Sequence, residues 1–337
     1  MCAQPLQYEV LDEETKHKLQ EEDELYVNNC IRVGDKKWFF LNTYADQNEA
    51  FRNFKTNPSD VWVLSLPKSG ANCMQELVWL LENNLDYDSA VKYKLDTRFP
   101  FFDTSLLQPH SMSEEYFNMS EDEAEKVNGI IREGKTSPEI IAAYPSPRYI
   151  KSQLPFEMLP TDLLDSGAKI IYVARHPKNV AASYYYFRQR MPRFFKFKAD
   201  FKTFWNFFTK SLILYTPYWD HVKEAWKRRD DPNFLFVFYE EMQNDLPKII
   251  ERVAEFLGKS YSTEEVGTLA DHLDANFQEN DTVAQNDGEE VTLTRENKLI
   301  GKGDLGELKD LFTPELEAEA DEWIEENLKD TDLSWPV

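Results

Sequence analysis

Residues Val61 to Gly70, VWVLSLPKSG, pass from an apolar, partly β-branched run into a turn carrying Pro67, Lys68 and Ser69. Directly afterwards the period changes: between Ala71 and Glu82, Cys73, Met74, Leu77, Val78 and Leu81 fall on one side of a helix. The spacing therefore predicts a buried strand, a basic loop and a helix start in immediate succession. A helix start offers unpaired N–H groups and the positive end of the helix dipole, to which Lys68 adds a charge and Ser69 a hydroxyl. Such a loop suits phosphate or sulfate. It is not a Walker A sequence, because Lys68 precedes Gly70 and no Gly stands at the required distance before it. Taken alone, Pro-Lys-Ser-Gly also reads as an ordinary solvated turn.

The same succession recurs. Lys169 to Val173 is a hydrophobic strand that empties into Ala174-Arg175-His176-Pro177, and a helix follows with Pro177 in its first turn. Arg175 leaves the C-terminal end of the strand, where open parallel sheets bind ligands, and Ser183 lies about two turns into the helix. A fork-shaped donor and a hydroxyl suit one phosphate. Arg175 also reads as a strand-end ion pair. His176 is adjacent and within reach of a phosphate.

With these two motifs, Tyr149-Ile150-Lys151-Ser152-Gln153-Leu154-Pro155, the strand Phe234 to Glu241, Lys302-Gly303 and Phe312-Thr313, the chain resembles the cytosolic sulfotransferases from about Asn42 to Pro336. The resemblance implies transfer of a sulfuryl group from 3′-phosphoadenosine 5′-phosphosulfate (PAPS) to a hydroxyl of a small lipophilic acceptor such as a phenol, alcohol, steroid or retinoid. It also implies an α/β fold: a single domain with a central parallel sheet flanked by helices and a P-loop-like phosphosulfate-binding loop. Residues 1–41 would be an N-terminal lead and hairpin, and 42–337 the sulfotransferase domain. By the same resemblance Lys68, Ser69 and Gly70 hold the 5′-phosphosulfate, Arg175 and Ser183 the 3′-phosphate, and Tyr239 the adenine edge. Lys151 sits beside the transferring group, and Lys302 and Gly303 close the 3′-phosphate pocket.

Departures from the family pattern fall on functional positions. Gln153 occupies the place of the acceptor-activating His, and Gln takes no proton at neutral pH. Ala71, Asn72 and Cys73 replace two Thr and a Trp at the nucleotide site, Ala275 aligns with an adenine-facing Phe, and Gly301 replaces an Arg. Stacking contributes roughly 1–3 kcal/mol per base, and a charge-assisted hydrogen bond about 1.5–3 kcal/mol. Two such losses lower nucleotide affinity about a thousandfold. A catalytically silent member that binds a hydrophobic ligand is thus the alternative reading, and a dehydratase acting through a sulfated intermediate is a third. His110, in the segment Phe101 to Met119 over the acceptor pocket, is a candidate replacement base. The remaining His17, His221 and His272 read as structural or surface residues, and no metal-ligand cluster is apparent, so no metal is expected.

The chain of 337 residues carries a net charge of −23, which opposes nonspecific binding to nucleic acid and anionic membranes. Three cysteines, Cys2, Cys30 and Cys73, suit a reducing compartment, and residues 1–29 lack the apolar core of a secretory signal. With no run long enough to span a membrane, these features point to the cytoplasm. Further along, a hairpin is expected from Cys30 to Thr43, an acidic helix within Ser113 to Glu133, amphipathic helices over Lys210 to Trp226 and Leu246 to Leu257, and a terminal helix over Pro314 to Leu328. Lys227-Arg228-Arg229 reads as a helix C-terminus. Phe187 to Phe208, aromatic and basic, reads equally as a lid and as ordinary packing. Phe99, Phe101, Phe102, Tyr185, Phe187, Phe194 and Phe195 suit a hydrophobic guest and equally a core. The family's dimerisation pattern is incomplete: Lys309, Phe312 and Thr313 fit, whereas Pro314 lacks the N–H that pairing requires, so a homodimer by that route is doubtful.

Overall fold

The structure is a computed structural model that describes residues 6–23, 30–107, 136–190, 197–278 and 311–336. Among the described residues, seven strands form two sheets: β1 (Tyr8–Val10), β2 (Cys30–Val33) and β3 (Trp38–Leu41) in an antiparallel sheet, and β4 (Val61–Ser65), β5 (Tyr149–Ser152), β6 (Lys169–Ala174) and β7 (Phe234–Phe238) in a parallel one ordered β5-β4-β6-β7. Parallel strands need covered faces, and the alternation of side chains supplies both. Val61 and Val63 of β4, with Ile171, Val173 and Val237, face the helices Ala71–Glu82, Leu246–Leu257 and Thr263–Gln278. Trp62 and Leu64, with Ile170, Tyr172 and Phe236, face a second core built on Pro177–Arg190, Phe201–Thr209 and Tyr218–Trp226. Two hydrophobic layers thus clamp one sheet.

All four strands of the parallel sheet run the same way, with Val63 opposite both Lys151 and Ile171, and Ala174 opposite Phe238. Their C-terminal ends therefore lie along one edge, where the basic turns emerge. At the opposite end, Arg148 donates from Nε to Asp60 Oδ1 at 2.9 Å and from Nη2 to Lys55 O at 2.8 Å, locking the starts of β4 and β5 together. Pro100 to Phe102 run beside β5, with Lys151 N donating to Pro100 O at 3.0 Å and Phe102 N to Lys151 O at 2.8 Å. That pairing carries Phe101 and Asp103 to the C-terminal edge.

Several sequence expectations meet the structure closely. The helices Leu246–Leu257 and Pro314–Leu328 have the bounds that their patterns give, Pro177 opens its helix, and the strand from Phe234 ends at Phe238 because Tyr239–Asn244 is a helix that takes up the reach to Glu241. Local chemistry explains this: Asp245 accepts from Lys248 N, Gly258 ends that helix at φ +77°, and Thr313 caps the last one ahead of Pro314. The helix expected over Lys210 to Trp226 is shorter, Tyr218–Trp226, because Pro217 enters it in an extended conformation. The hairpin expected from Cys30 to Thr43 forms, and its Trp38, Phe39, Phe40 and Leu41 join the same core as Trp62 and Phe102. The acidic lead contains an unforeseen helix, Glu13–Glu22, capped by Asp12. Phe201, Phe204, Phe207 and Phe208 are buried, so that part of the aromatic segment is packing. His110, the Ser113 to Glu133 helix, Phe194, Phe195, Gly301, Lys302, Gly303 and Lys309 lie outside the described residues.

Candidate functional site

The loop after β4 is shaped by two left-handed residues, Lys68 at φ +66° and Gly70 at φ +96°. Gly70 precedes the helix Ala71–Glu82, and a Cβ there would run into the Tyr239 ring. Only glycine meets both demands. Lys68 is held in its unusual conformation from outside the loop, because Arg175 Nη1 donates to Lys68 O at 3.1 Å. The Arg175 guanidinium lies 4.5 Å from the centre of the Tyr239 ring, and Tyr218 Oη donates to Arg175 O at 2.6 Å. The two strand-turn-helix motifs are therefore one unit, with Gly70, Tyr239, Arg175 and Lys68 in a closed circuit.

Lys151, at the C-terminal end of β5, turns toward the same helix start: its Nζ donates to Asn72 Oδ1 at 3.0 Å and lies 4.7 Å from the Phe101 ring centre. Asn72 thus has a task that its replacement of a hydroxyl residue does not suggest, holding the lysine that faces the loop. Lys68 Nζ lies 4.9 Å from the Phe187 ring centre. Lys68 and Lys151 each border an aromatic side chain, and Phe101 and Phe187 are both half-buried, whereas Phe99 and Phe102 are core residues.

The donor set fits a phosphorylated nucleotide on two structural counts. Arg175 is 4 % exposed, yet its Nε has no hydrogen-bond partner, and the loop after β4 presents a helix start to an anion. Ser69 is buried in the loop and Ser183 is half-buried on the helix Pro177–Arg190. Other expectations need correction. Cys73 lies wholly in the core with Met74 and Leu77, where burial pushes its thiol well above the ordinary range, so it offers no face to a ligand. Ala71 is likewise buried, and Ala275 is exposed with only a methyl group. His176 turns its ring to Trp335, at 5.7 Å between centroids, and burial lowers its pKa to about 4. A neutral ring held there adds no charge to a phosphate site. Tyr239 is buried beneath Arg175.

Gln153 follows β5, and it is accompanied by two groups that the sequence did not single out. Asp103, wholly buried, accepts from Ser152 Oγ at 2.6 Å and from Gln153 N at 2.7 Å. Burial raises its carboxyl to about 7, against the lowering effect of those bonds and of the Lys151 charge. His221 Nε2 lies 3.0 Å from Gln153 O. Asp103 lies 50 residues before Gln153, where the apolar run Phe99 to Phe102 gives way to Thr104 and Ser105, and His221 lies on a helix 68 residues after it, so only the folded chain brings them to the site. A surface groove of about 540 Å³ between the helices Phe201–Thr209 and Pro314–Leu328 contains none of these residues. Among the described residues, no group of three or more His, Cys, Asp or Glu could hold a metal ion, and no helix is long and apolar enough to cross a membrane.

Comparison with known proteins identifies this architecture. The sulfotransferase domain model matches residues 58–332. A crystal structure of retinol dehydratase in complex with androsterone and inactive cofactor PAP superposes with a TM-score of 0.85 and 31 % identity, covering 99 % of each chain. Luciferin sulfotransferase of Photinus pyralis is 30 % identical over 90 % of this chain and 80 % of its own, and human sulfotransferase 4A1 is 30 % identical over 85 % and 86 %. The chain belongs to the sulfotransferase family. It is a PAPS-dependent sulfotransferase on a single α/β domain, with PAPS as its co-substrate.

Proposed function

We propose that the acceptor is a small lipophilic molecule whose hydroxyl receives the sulfuryl group beside Lys68 and Lys151. The observation that carries this reading is the convergence of Lys151, Asn72 and the Lys68 loop on one helix start, with Arg175 tying the second basic turn to the first. In this assignment Lys68, Ser69 and Gly70 hold the 5′-phosphosulfate, with Ala71 and Asn72 at the helix start. Arg175 and Ser183 hold the 3′-phosphate, together with Lys302 and Gly303, and Tyr239 backs Arg175. PAPS supplies an activated sulfuryl group and leaves as PAP. Lys68 and Lys151 meet the charge that develops on the transferring oxygens, a contribution of the kind that a fixed donor makes in a water-poor site. Gln153 orients the acceptor hydroxyl by hydrogen bonding, and its proton passes to solvent, since an amide does not take it. The rate is then lower by roughly 10²–10⁴ than with a positioned base.

Phe101 and Phe187, one beside each lysine, support an apolar acceptor. The relatives named above include a dehydratase crystallised with androsterone, and another of its structures holds retinol and PAP. Incubation with ³⁵S-labelled PAPS and retinol, androsterone or 2-naphthol tests the reading. Labelled ester is expected with at least one of them and is lost in Lys151→Met; PAP binding without transfer to any acceptor would refute it and favour a silent ligand-binding protein. A second reading, dehydration, rests on the match to retinol dehydratase along 99 % of both chains. There the sulfate ester loses hydrogen sulfate by elimination, so label from PAPS would appear as inorganic sulfate alongside an alkene product.

A further inference from the structure

Five hydrogen bonds run through the turn that follows β5. Tyr172 Oη and His221 Nδ1 are 2.8 Å apart, and His221 Nε2 and Gln153 O are 3.0 Å apart. A carbonyl oxygen only accepts, so Nε2 carries the proton and Nδ1 accepts from the tyrosine. Burial, which pushes the His221 pKa down to about 4, keeps the ring neutral and consistent with that tautomer. On the other side of the same residue Gln153 N donates to Asp103 Oδ2 at 2.7 Å, Ser152 Oγ donates to Asp103 Oδ1 at 2.6 Å, and Leu154 N donates to Ser152 Oγ at 3.1 Å. Asp103, Ser152, Tyr172 and His221 are all 1 % exposed or less. Asp103 and His221 each meet the Gln153 main chain, while Ser152 and Tyr172 bond Asp103 and His221 in turn.

We infer that Asp103 and His221 are positioning residues that clamp Gln153 by its main chain, Asp103 at the N–H and His221 at the carbonyl, with Tyr172 orienting His221. The inference rests on the reading that Gln153 faces the acceptor hydroxyl. Its physical content is that the clamp acts on the backbone and not on the side chain, so the direction of the Cα–Cβ bond is set whatever residue occupies the position. Gln153 therefore projects from a fixed origin close to Lys151, the strand residue whose own N–H and C=O are bonded to Pro100 and Phe102. A histidine in this fold, His221, thereby serves the site from behind the chain without touching an acceptor. Its side chain lies in the core, 5.9 Å from the Trp38 ring.

The test uses the full chain, with PAP affinity by calorimetry and steady-state sulfation of 2-naphthol, or whichever of retinol and androsterone is the better acceptor. Asp103→Leu removes the acceptor at the N–H and is expected to lower kcat about 10- to 100-fold, the scale of a misplacement near 1 Å, while PAP affinity stays within about threefold. Asp103→Asn keeps an oxygen for Gln153 N–H and an N–H for Ser152 Oγ, and is expected to recover most of that loss. Tyr172→Phe removes a single hydroxyl and keeps the packing, which covers the case in which Asp103→Leu does not fold; its kcat is expected to fall with KM for the acceptor unchanged. Gln153→Ala separates the two claims. If it slows turnover while Tyr172→Phe and the folded Asp103 variants keep the parent kcat, the clamp is overturned alone. If Gln153→Ala leaves kcat unchanged, the assignment of Gln153 to the acceptor fails, and the catalytic role of the clamp fails with it.

Discussion

Replacing Asp103 by Asn should change the pH dependence of stability in a defined direction. The carboxyl has an ordinary value of 3.8 and is raised to about 7 by burial in the native state. Below pH 3.8 both the native and unfolded chains carry the proton, and ionisation adds no penalty. As pH rises above 3.8 the unfolded chain ionises while the native one keeps its proton, so native stability falls with each step until the native carboxyl also ionises near pH 7. The full difference is about 3 pKa units, which at 1.36 kcal/mol each amounts to about 4 kcal/mol, and about 3 kcal/mol of it falls between pH 5 and 8. The amide of the Asp103→Asn variant would keep two hydrogen bonds and has no proton to lose. Urea unfolding of both proteins at pH 5, 6, 7 and 8 should therefore show the variant gaining about 3 kcal/mol relative to the parent across the series. Taking the difference between the two proteins removes the opposite trend contributed by His176 and His221, whose lowered pKa values make the native state lose stability as pH falls from 6.5 toward 4. A difference that stays flat, or one in which the variant loses ground as pH rises, would refute the assignment of a carboxyl that is protonated in the native state at pH 5.

Three further outcomes follow from the geometry. Gly70→Ala forces a Cβ into the Tyr239 ring at φ +96°, so it should lower stability by about 1–3 kcal/mol and weaken PAP binding, both read by calorimetry; unchanged PAP affinity would show that the loop does not hold the nucleotide. Gln153→His places a titratable ring at the same clamped position and should raise kcat for 2-naphthol by at least about tenfold, within the range of general base catalysis, with a rise that tracks imidazole deprotonation; an unchanged rate at every pH would mean that proton removal is not limiting. Arg148→Ala leaves Asp60 buried without its partner and should cost about 3–5 kcal/mol in urea unfolding while PAP and acceptor KM values in the surviving native fraction stay at parent levels.

Much of this protein is legible from neighbouring residues. The run Val61 to Leu66 and the period change at Ala71 mark the loop between strand and helix, and Pro177, Asp245, Gly258 and Thr313 mark helix ends with chemistry that acts within a few positions. Family motifs add Arg175, Ser183, Lys151 and the donor nucleotide. The same reading extends a helix back to Lys210, leaves open where the hairpin packs, and sets His176 and Cys73 at the nucleotide site. The last three turn on long-range packing: Trp38 to Leu41 find their core across the sheet, His176 meets Trp335, and Cys73 points into the layer under β4.

What the sequence determined alone was therefore the set of strands, helices and anion-binding turns, because backbone conformation responds to side chains a few positions away. Tertiary structure decided which polar groups meet. Arg175 bonds to Lys68 across 107 residues, Lys151 to Asn72 across 79, and Gln153 is held by Asp103 and His221, 50 and 68 residues away. Those partners share no period, spacing or composition that marks them along the chain. They converge because the parallel order β5-β4-β6-β7 brings the C-terminal ends of separate strands to one edge, and burial there leaves each polar group no solvent partner to take instead.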